Sequence, residues 1–136
     1  MPLGRIRIVV STDGDIVVAR QSGRELAEQI GCSATDATLV ATAISEVARN
    51  IVTHAGRGEI LIRAVSCEDG DAAIEVVARD EGPGIAEVEH AMQDGFSTGP
   101  GLGLGLPGAR RLMDEFEITS EVGRGTTVVM RKRRTR

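Results

Sequence analysis

The chain has 136 residues, 41% of them hydrophobic and 26% charged, which suits one domain with a buried core and is too short for two. With no Trp, no Tyr and only two Phe, it lacks the aromatics of a base-stacking nucleic-acid platform. Five of the last six residues, Arg131 to Arg136, are cations; setting those five aside takes the formal net charge from −4 to −9, an acidic body unsuited to wrapping DNA.

Arg5 to Val10 alternates, so Ile6, Ile8 and Val10 can line one face of a strand. Ser11-Thr12-Asp13-Gly14 reads as a turn. From Asp15 the apolar positions Ile16, Ala19, Gly23, Leu26, Ala27 and Ile30 form one stripe of an amphipathic helix, ended by Gly31. A second helix opens at Ser33, with Asp36 three residues on as a capping signal, and is predicted to run to about Ala55. Its apolar stripe holds Ala37, Val40, Ala41, Ile44, Ala48, Ile51, Val52 and Ala55. Glu59–Val65 and Ala72–Asp80 read as strands joined through Asp69-Gly70, a pair suited to a hairpin turn.

Glu81-Gly82-Pro83-Gly84 then breaks the pattern, and a short helix is expected over Ala86–Met92. Glycine and proline crowd the next fourteen residues, Gly95 to Gly108, after which Ala109-Arg110-Arg111-Leu112-Met113 resumes a helical pattern. Such a run offers bare N–H groups and the positive end of a helix dipole, a natural seat for phosphate; a flexible surface loop is the alternative. Phe116–Glu121 and Thr126–Met130 close the chain as a strand pair. Strands outnumber helical crossovers, which predicts an α/β two-layer sandwich: a mixed, mostly antiparallel sheet covered by helices on one face. Residues 1–136 are expected to form one domain, with 131–136 as a basic, solvated tail or a partner-docking feature.

Cys32 and Cys67 have no CxxC spacing and fit free thiols of a reducing cytosol. No signal peptide and no apolar run of spanning length is visible, so a cytoplasmic location is expected, away from membranes.

Glu46 and Asn50, four apart on the second helix, stand one turn above each other and about 40° apart around the axis. They can form a solvated polar face, or a Mg²⁺ ligand (Asn50) beside a general base (Glu46), since magnesium is often held by one side-chain oxygen with phosphates and water. Asp80 ends a strand that is otherwise apolar on its side. It either caps the turn that follows or accepts a hydrogen bond from an exocyclic amine such as that of adenine, with Gly82 and Gly84 giving a flat ring close access. There is no GxxxxGK[ST] loop. Gly103 to Gly108 fits GxGxxG but follows no strand, and the sole lysine, Lys132, lies in the tail, so P-loop, Rossmann and ordinary protein-kinase sites are excluded. His54 and His90 have no second metal-type ligand at a suitable spacing.

Glu46-x-x-x-Asn50, Asp80-x-Gly82-x-Gly84, Gly101-x-Gly103-x-Gly105 and Gly123-x-Gly125-Thr126, in that order, resemble the ATP-binding motifs of the GHKL superfamily (gyrase, Hsp90, histidine kinase, MutL). The compact size, with Asp94-Gly95-Phe96-Ser97-Thr98 and Gly105-Leu106-Pro107-Gly108, resembles the bacterial anti-sigma-type serine/threonine kinases, in particular the switch kinases of the stressosome. The resemblance covers about Ile6 to Met130. It implies the GHKL (Bergerat) ATP-binding fold with ATP and Mg²⁺ as cofactors. Asn50 would hold the metal, Glu46 would be the catalytic base, and Asp80 would bind the adenine amine with Gly82, Gly84 and Thr126. Gly101, Leu102, Gly103, Leu104 and Gly105 would wrap the triphosphate, with Ser97 and Thr98 at the edge of a short lid; Gly99-Pro100 departs from the family pattern and would stiffen that lid.

The resemblance also implies partners. These are STAS-domain proteins (RsbS/RsbR-like) as phosphorylated substrates and a PP2C-type phosphatase (RsbU-like) as the target activated after release, with a homodimer possible and no nucleic acid. An anti-sigma kinase that binds a sigma factor and phosphorylates an anti-anti-sigma STAS protein is the alternative. A binding module with a vestigial site is the third reading, against which Glu46 and Asn50 both stand.

Overall fold

A computed structural model describes residues 5–84 and 105–134. The elements are β1 (Arg5–Val10), α1 (Asp13–Gln29), α2 (Ala34–Asn50), a π-helical segment (Ile51–Ala55), β2 (Gly58–Ser66), β3 (Ala72–Asp80), α3 (Gly105–Leu112), β4 (Glu115–Glu121) and β5 (Gly125–Arg133). The expected helix at 86–92 lies outside the described residues.

Local chemistry sets the boundaries. α1 begins two residues earlier than the apolar stripe suggests because Thr12 caps it: Thr12 Oγ1 accepts the Asp15 N–H, and Asp15 Oδ2 accepts the Thr12 N–H in return. Ser33 Oγ accepts the Asp36 N–H and starts α2 as expected. That helix continues to Ala55, but its last turn widens to π geometry and ends on Gly56 at φ +80°.

The five strands lie in the order β1-β2-β3-β5-β4, and all four pairings are antiparallel, so the two-layer α/β class holds while the sheet is antiparallel rather than mixed. Ile8, Val10, Ile60, Ile62, Ile74, Val76, Val128 and Met130 point from one sheet face into the core. There they meet Ile16 and Leu26 of α1, Val40, Ile44 and Val47 of α2, and Leu106 and Ala109 of α3. α2 lies between α1 and α3, so residues 43 to 48 are buried all the way round.

The terminal cations are not a free solvated tail, because β5 runs on to Arg133. Lys132 pairs with Asp114, Arg131 with Glu75, and Arg134 donates to Asp71 Oδ1 at 3.0 Å and to the Ile30 carbonyl at 2.9 Å, tying the end of α1 to the β2–β3 turn. Among the described residues, each of the cations at 131 to 134 has an acidic or carbonyl partner brought close by the fold, which composition alone does not display. Cys32 and Cys67 are both free; burial, with Asp36 adding to it, pushes the Cys32 thiol up from its ordinary value. No helix among the described residues is long and apolar enough to cross a membrane.

On the sheet face turned away from the helices, Glu75 is 2% exposed and accepts Arg63 Nε at 2.6 Å and Arg131 Nε at 2.7 Å. Burial pushes its carboxyl up, but the bonds from Arg131 and Arg63 outweigh that and hold it below the usual glutamate value. A carboxyl lowered in the fold stabilises it above the unfolded value near pH 4.3, and that stabilisation is lost as pH falls through the folded value. Glu75→Gln is therefore expected to cost about 2–3 kcal/mol at pH 7, toward the lower end for a broken buried pair because both arginines are half exposed. Urea denaturation of the two proteins should show that gap at pH 7 and its closure below about pH 4.

Candidate functional site

Glu46 is fixed by a contact between segments far apart in sequence. Its Oε2 accepts the backbone N–H of Gly105, the first residue of α3, at 2.8 Å. α3 covers it, so the carboxylate is 8% exposed rather than part of a solvated face. Asn50, one turn on, is half-buried and forms the junction between α2 and the π-helical segment. The wider turn carries Ile51 and Ala55 to the end of the sheet where β2 begins and β3 ends. A side chain on Gly58 would meet Ile51, and one on Gly82 would meet Ala55 Cβ at 2.5 Å.

Asp80 stands at that same end, opposite Gly58 on one side and Thr126 on the other. Its Oδ1 accepts the Gly82 N–H at 3.0 Å and the Thr126 N–H at 3.3 Å. One oxygen of Asp80 thus caps the turn, while Oδ2 receives no donor among the described residues. Gly84 has φ +76° and packs so closely on the Glu121 carbonyl that a Cβ would lie 2.2 Å from it, while the Gly123 N–H donates to the Pro83 carbonyl at 2.8 Å. The loop after β3 is thereby stitched to the β4–β5 turn. Thr126 is buried, with its hydroxyl 2.9 Å from Ser120 Oγ.

Glu46, Asn50, Asp80, Gly82, Gly84, Gly105 and Thr126 thus gather around one end of the sheet. Ser97, Thr98, Gly101, Leu102, Gly103 and Leu104 lie outside the described residues. Two contributors had no motif to announce them. Ala55 supports Gly82 and Ser120 orients Thr126, and both pairings depend on the widened turn or the strand register rather than on sequence spacing. A groove of about 550 Å³ also opens at this corner, lined by Arg7, Arg57, Glu59, Arg79 and Asp80. Arg7, Glu59 and Arg79 belong to the sheet face away from the helices, so Glu46 and Asn50 do not line it.

The donor set suits a magnesium nucleotide. No cluster of three acidic, histidine or cysteine ligands exists among the described residues, and a phosphate-bridging Mg²⁺ needs only one side-chain oxygen, which the Asn50 carboxamide offers. An oriented carboxylate with one oxygen open suits an amine, and the absence of a side chain at Gly82 lets Ala55 pack against the turn that holds it. Gly82→Ala should press on the Ala55 backbone, 2.8 Å from the added carbon, and cost about 1–3 kcal/mol. A thermal melt should read that as a fall of roughly 5–10 °C.

Comparison with known proteins agrees with this geometry. Residues 9–132 match the family described as histidine kinase-like ATPase domain. The chain is 48% identical over 119 residues to the serine/threonine-protein kinase RsbT of Bacillus subtilis (strain 168), covering 88% of this chain and 89% of that one. It is 33% identical over 120 residues to an anti-sigma F factor of Geobacillus thermodenitrificans (strain NG80-2), covering 84% of this chain and 81% of that one. Among solved structures, that of the RsbU and RsbW domains of Rv1364c from Mycobacterium tuberculosis overlays with a TM-score of 0.65 at 25% identity, over 98% of this chain and 33% of that one.

Proposed function

Because the chain belongs to the histidine kinase-like ATPase domain family, we propose that it is an ATP- and magnesium-dependent serine/threonine protein kinase of a partner-switching pathway. Its substrate is a STAS-domain antagonist of the stressosome type, and once released from that partner it activates a PP2C-type phosphatase. The observation that most supports this is the packing of Ala55, in the π-helical turn that continues α2 beyond Glu46 and Asn50, against Gly82 of the Asp80 loop.

In this reading Asp80 accepts the adenine amine through Oδ2, Gly82 and Gly84 line the ring, and Thr126 fixes the carboxylate. Asn50 would hold Mg²⁺ through its carboxamide oxygen, and Glu46 would take the proton from the substrate hydroxyl. Bound there, the metal would supply charge neutralisation for the phosphates. Phosphoryl transfer demands mainly alignment and charge neutralisation, so an acidic protein with one lysine can perform it with backbone N–H groups, a helix N-terminus and a metal. The glycine run from Gly101 to Gly105, with Ser97 and Thr98, is assigned to the phosphates in this reading.

A second reading, an anti-sigma factor that binds a sigma factor and phosphorylates an anti-anti-sigma STAS protein, has the 33% likeness to the anti-sigma F factor in its favour. The 48% likeness to the kinase RsbT favours the first. The test is incubation with γ-labelled ATP, Mg²⁺ and a STAS-domain protein, beside co-elution with a sigma factor and with a phosphatase N-terminal domain. Label transfer with phosphatase co-elution is expected. Sigma-factor co-elution would favour the second reading, and partner binding with no transfer would leave only a binding module.

A further inference from the structure

The N–H of Gly105 is claimed twice. It belongs to the glycine run assigned above to the triphosphate, yet it donates to Glu46 Oε2 at 2.8 Å. α3 spans eight residues, and the N–H groups of a helix's first turn have no acceptor inside the helix, so an anion is stabilised there. Glu46 is that anion in the free protein. It is 8% exposed, and among the described residues a single oxygen, Oε2, receives a donor. A phosphate oxygen and a carboxylate oxygen sharing one N–H would each gain only a bent, weakened bond and would repel each other as like charges, so one acceptor excludes the other.

We propose that the base and the nucleotide exchange places on this donor: in the free protein Glu46 caps α3, and an arriving phosphate takes the Gly105 N–H and frees the carboxylate. The proposal rests on the nucleotide-site reading. It makes availability of the base conditional on a loaded site, because Glu46 can turn to a substrate hydroxyl only after the phosphate has replaced it at the helix. It also makes the start of α3 a sensor, whose first N–H has one kind of acceptor when the site is empty and another when it is full.

The experiment uses the full chain, with magnesium and either ADP or a non-hydrolysable ATP analogue. Calorimetry compares wild type with Glu46→Gln, which keeps the side chain's size, and Glu46→Ala; NMR follows the Gly105 amide in each. Removing the competing carboxylate should tighten nucleotide binding about 5- to 20-fold, on the scale of one charge-assisted hydrogen bond. The Gly105 amide signal should differ between free wild type and free Glu46→Ala and converge once both are saturated. Unchanged or weaker binding in both variants overturns the exchange. So does a Gly105 signal identical in the two free proteins, which would reduce any gain in affinity to general charge repulsion. If no version takes up nucleotide, the nucleotide-site reading falls and the exchange falls with it; intact uptake with unchanged affinity overturns the exchange alone.

Discussion

Asp80→Asn is expected to weaken binding of ATP at least 100-fold while leaving the fold in place. Asp80 Oδ1 is occupied by the N–H groups of Gly82 and Thr126, and the asparagine carbonyl oxygen can keep both bonds. The amide NH₂ must then stand where Oδ2 stood, turning an acceptor into a donor that, in the proposed reading, would face the adenine amine. A half-buried site that sets donor against donor rejects its ligand more strongly than one that merely loses a contact, and a factor of 100 corresponds to about 2.7 kcal/mol. Calorimetry with Mg-ATP measures the loss, and a thermal melt within about 3 °C of wild type shows that the turn cap survives. Affinity within a few-fold of wild type would confine Asp80 to capping its own turn.

Glu46→Gln is expected to lower the rate of phosphoryl transfer by about 10² to 10⁴, the range a positioned general base supplies. Glutamine matches the shape and can still accept the Gly105 N–H, so α3 stays docked. It cannot take a proton from the attacking hydroxyl. Rate and affinity should therefore move in opposite senses: slower transfer to a STAS-domain protein in single turnover, with nucleotide held as tightly as in wild type or more so. A substitution that only damaged the site would lose both. A transfer rate within threefold of wild type would remove Glu46 from the chemistry.

The strands and the first two helices could be read from periodicity and caps, since alternation in Arg5–Val10 and Ala72–Asp80 and the Ser33 cap are local signals. The two extra residues at the start of α1 were hidden because Thr12 and Asp15 look like turn residues until their reciprocal bonds are seen. The burial of Glu46 could not be read from helical spacing alone. Its apparent solvent face is covered by α3, which arrives 59 residues later. The π-helical turn after Asn50 was equally silent: Ile51 to Ala55 continue an apolar helical pattern, and the widening is a tertiary accommodation to the Gly58 and Gly82 contacts. The basic end was misleading for a related reason. Arg131 and Arg134 look solvated in a list of residues and become strand and clasp only when the register sets them beside Glu75 and Asp71.

The convergence of these segments on one magnesium nucleotide is tested most directly by a crystal structure of the chain with Mg²⁺ and a non-hydrolysable ATP analogue. The expected result places the Asn50 carboxamide oxygen on the metal, Asp80 Oδ2 on the adenine amine and a phosphate oxygen on the Gly105 N–H. An analogue seated away from the Asp80 corner, or a metal held without Asn50, would contradict it.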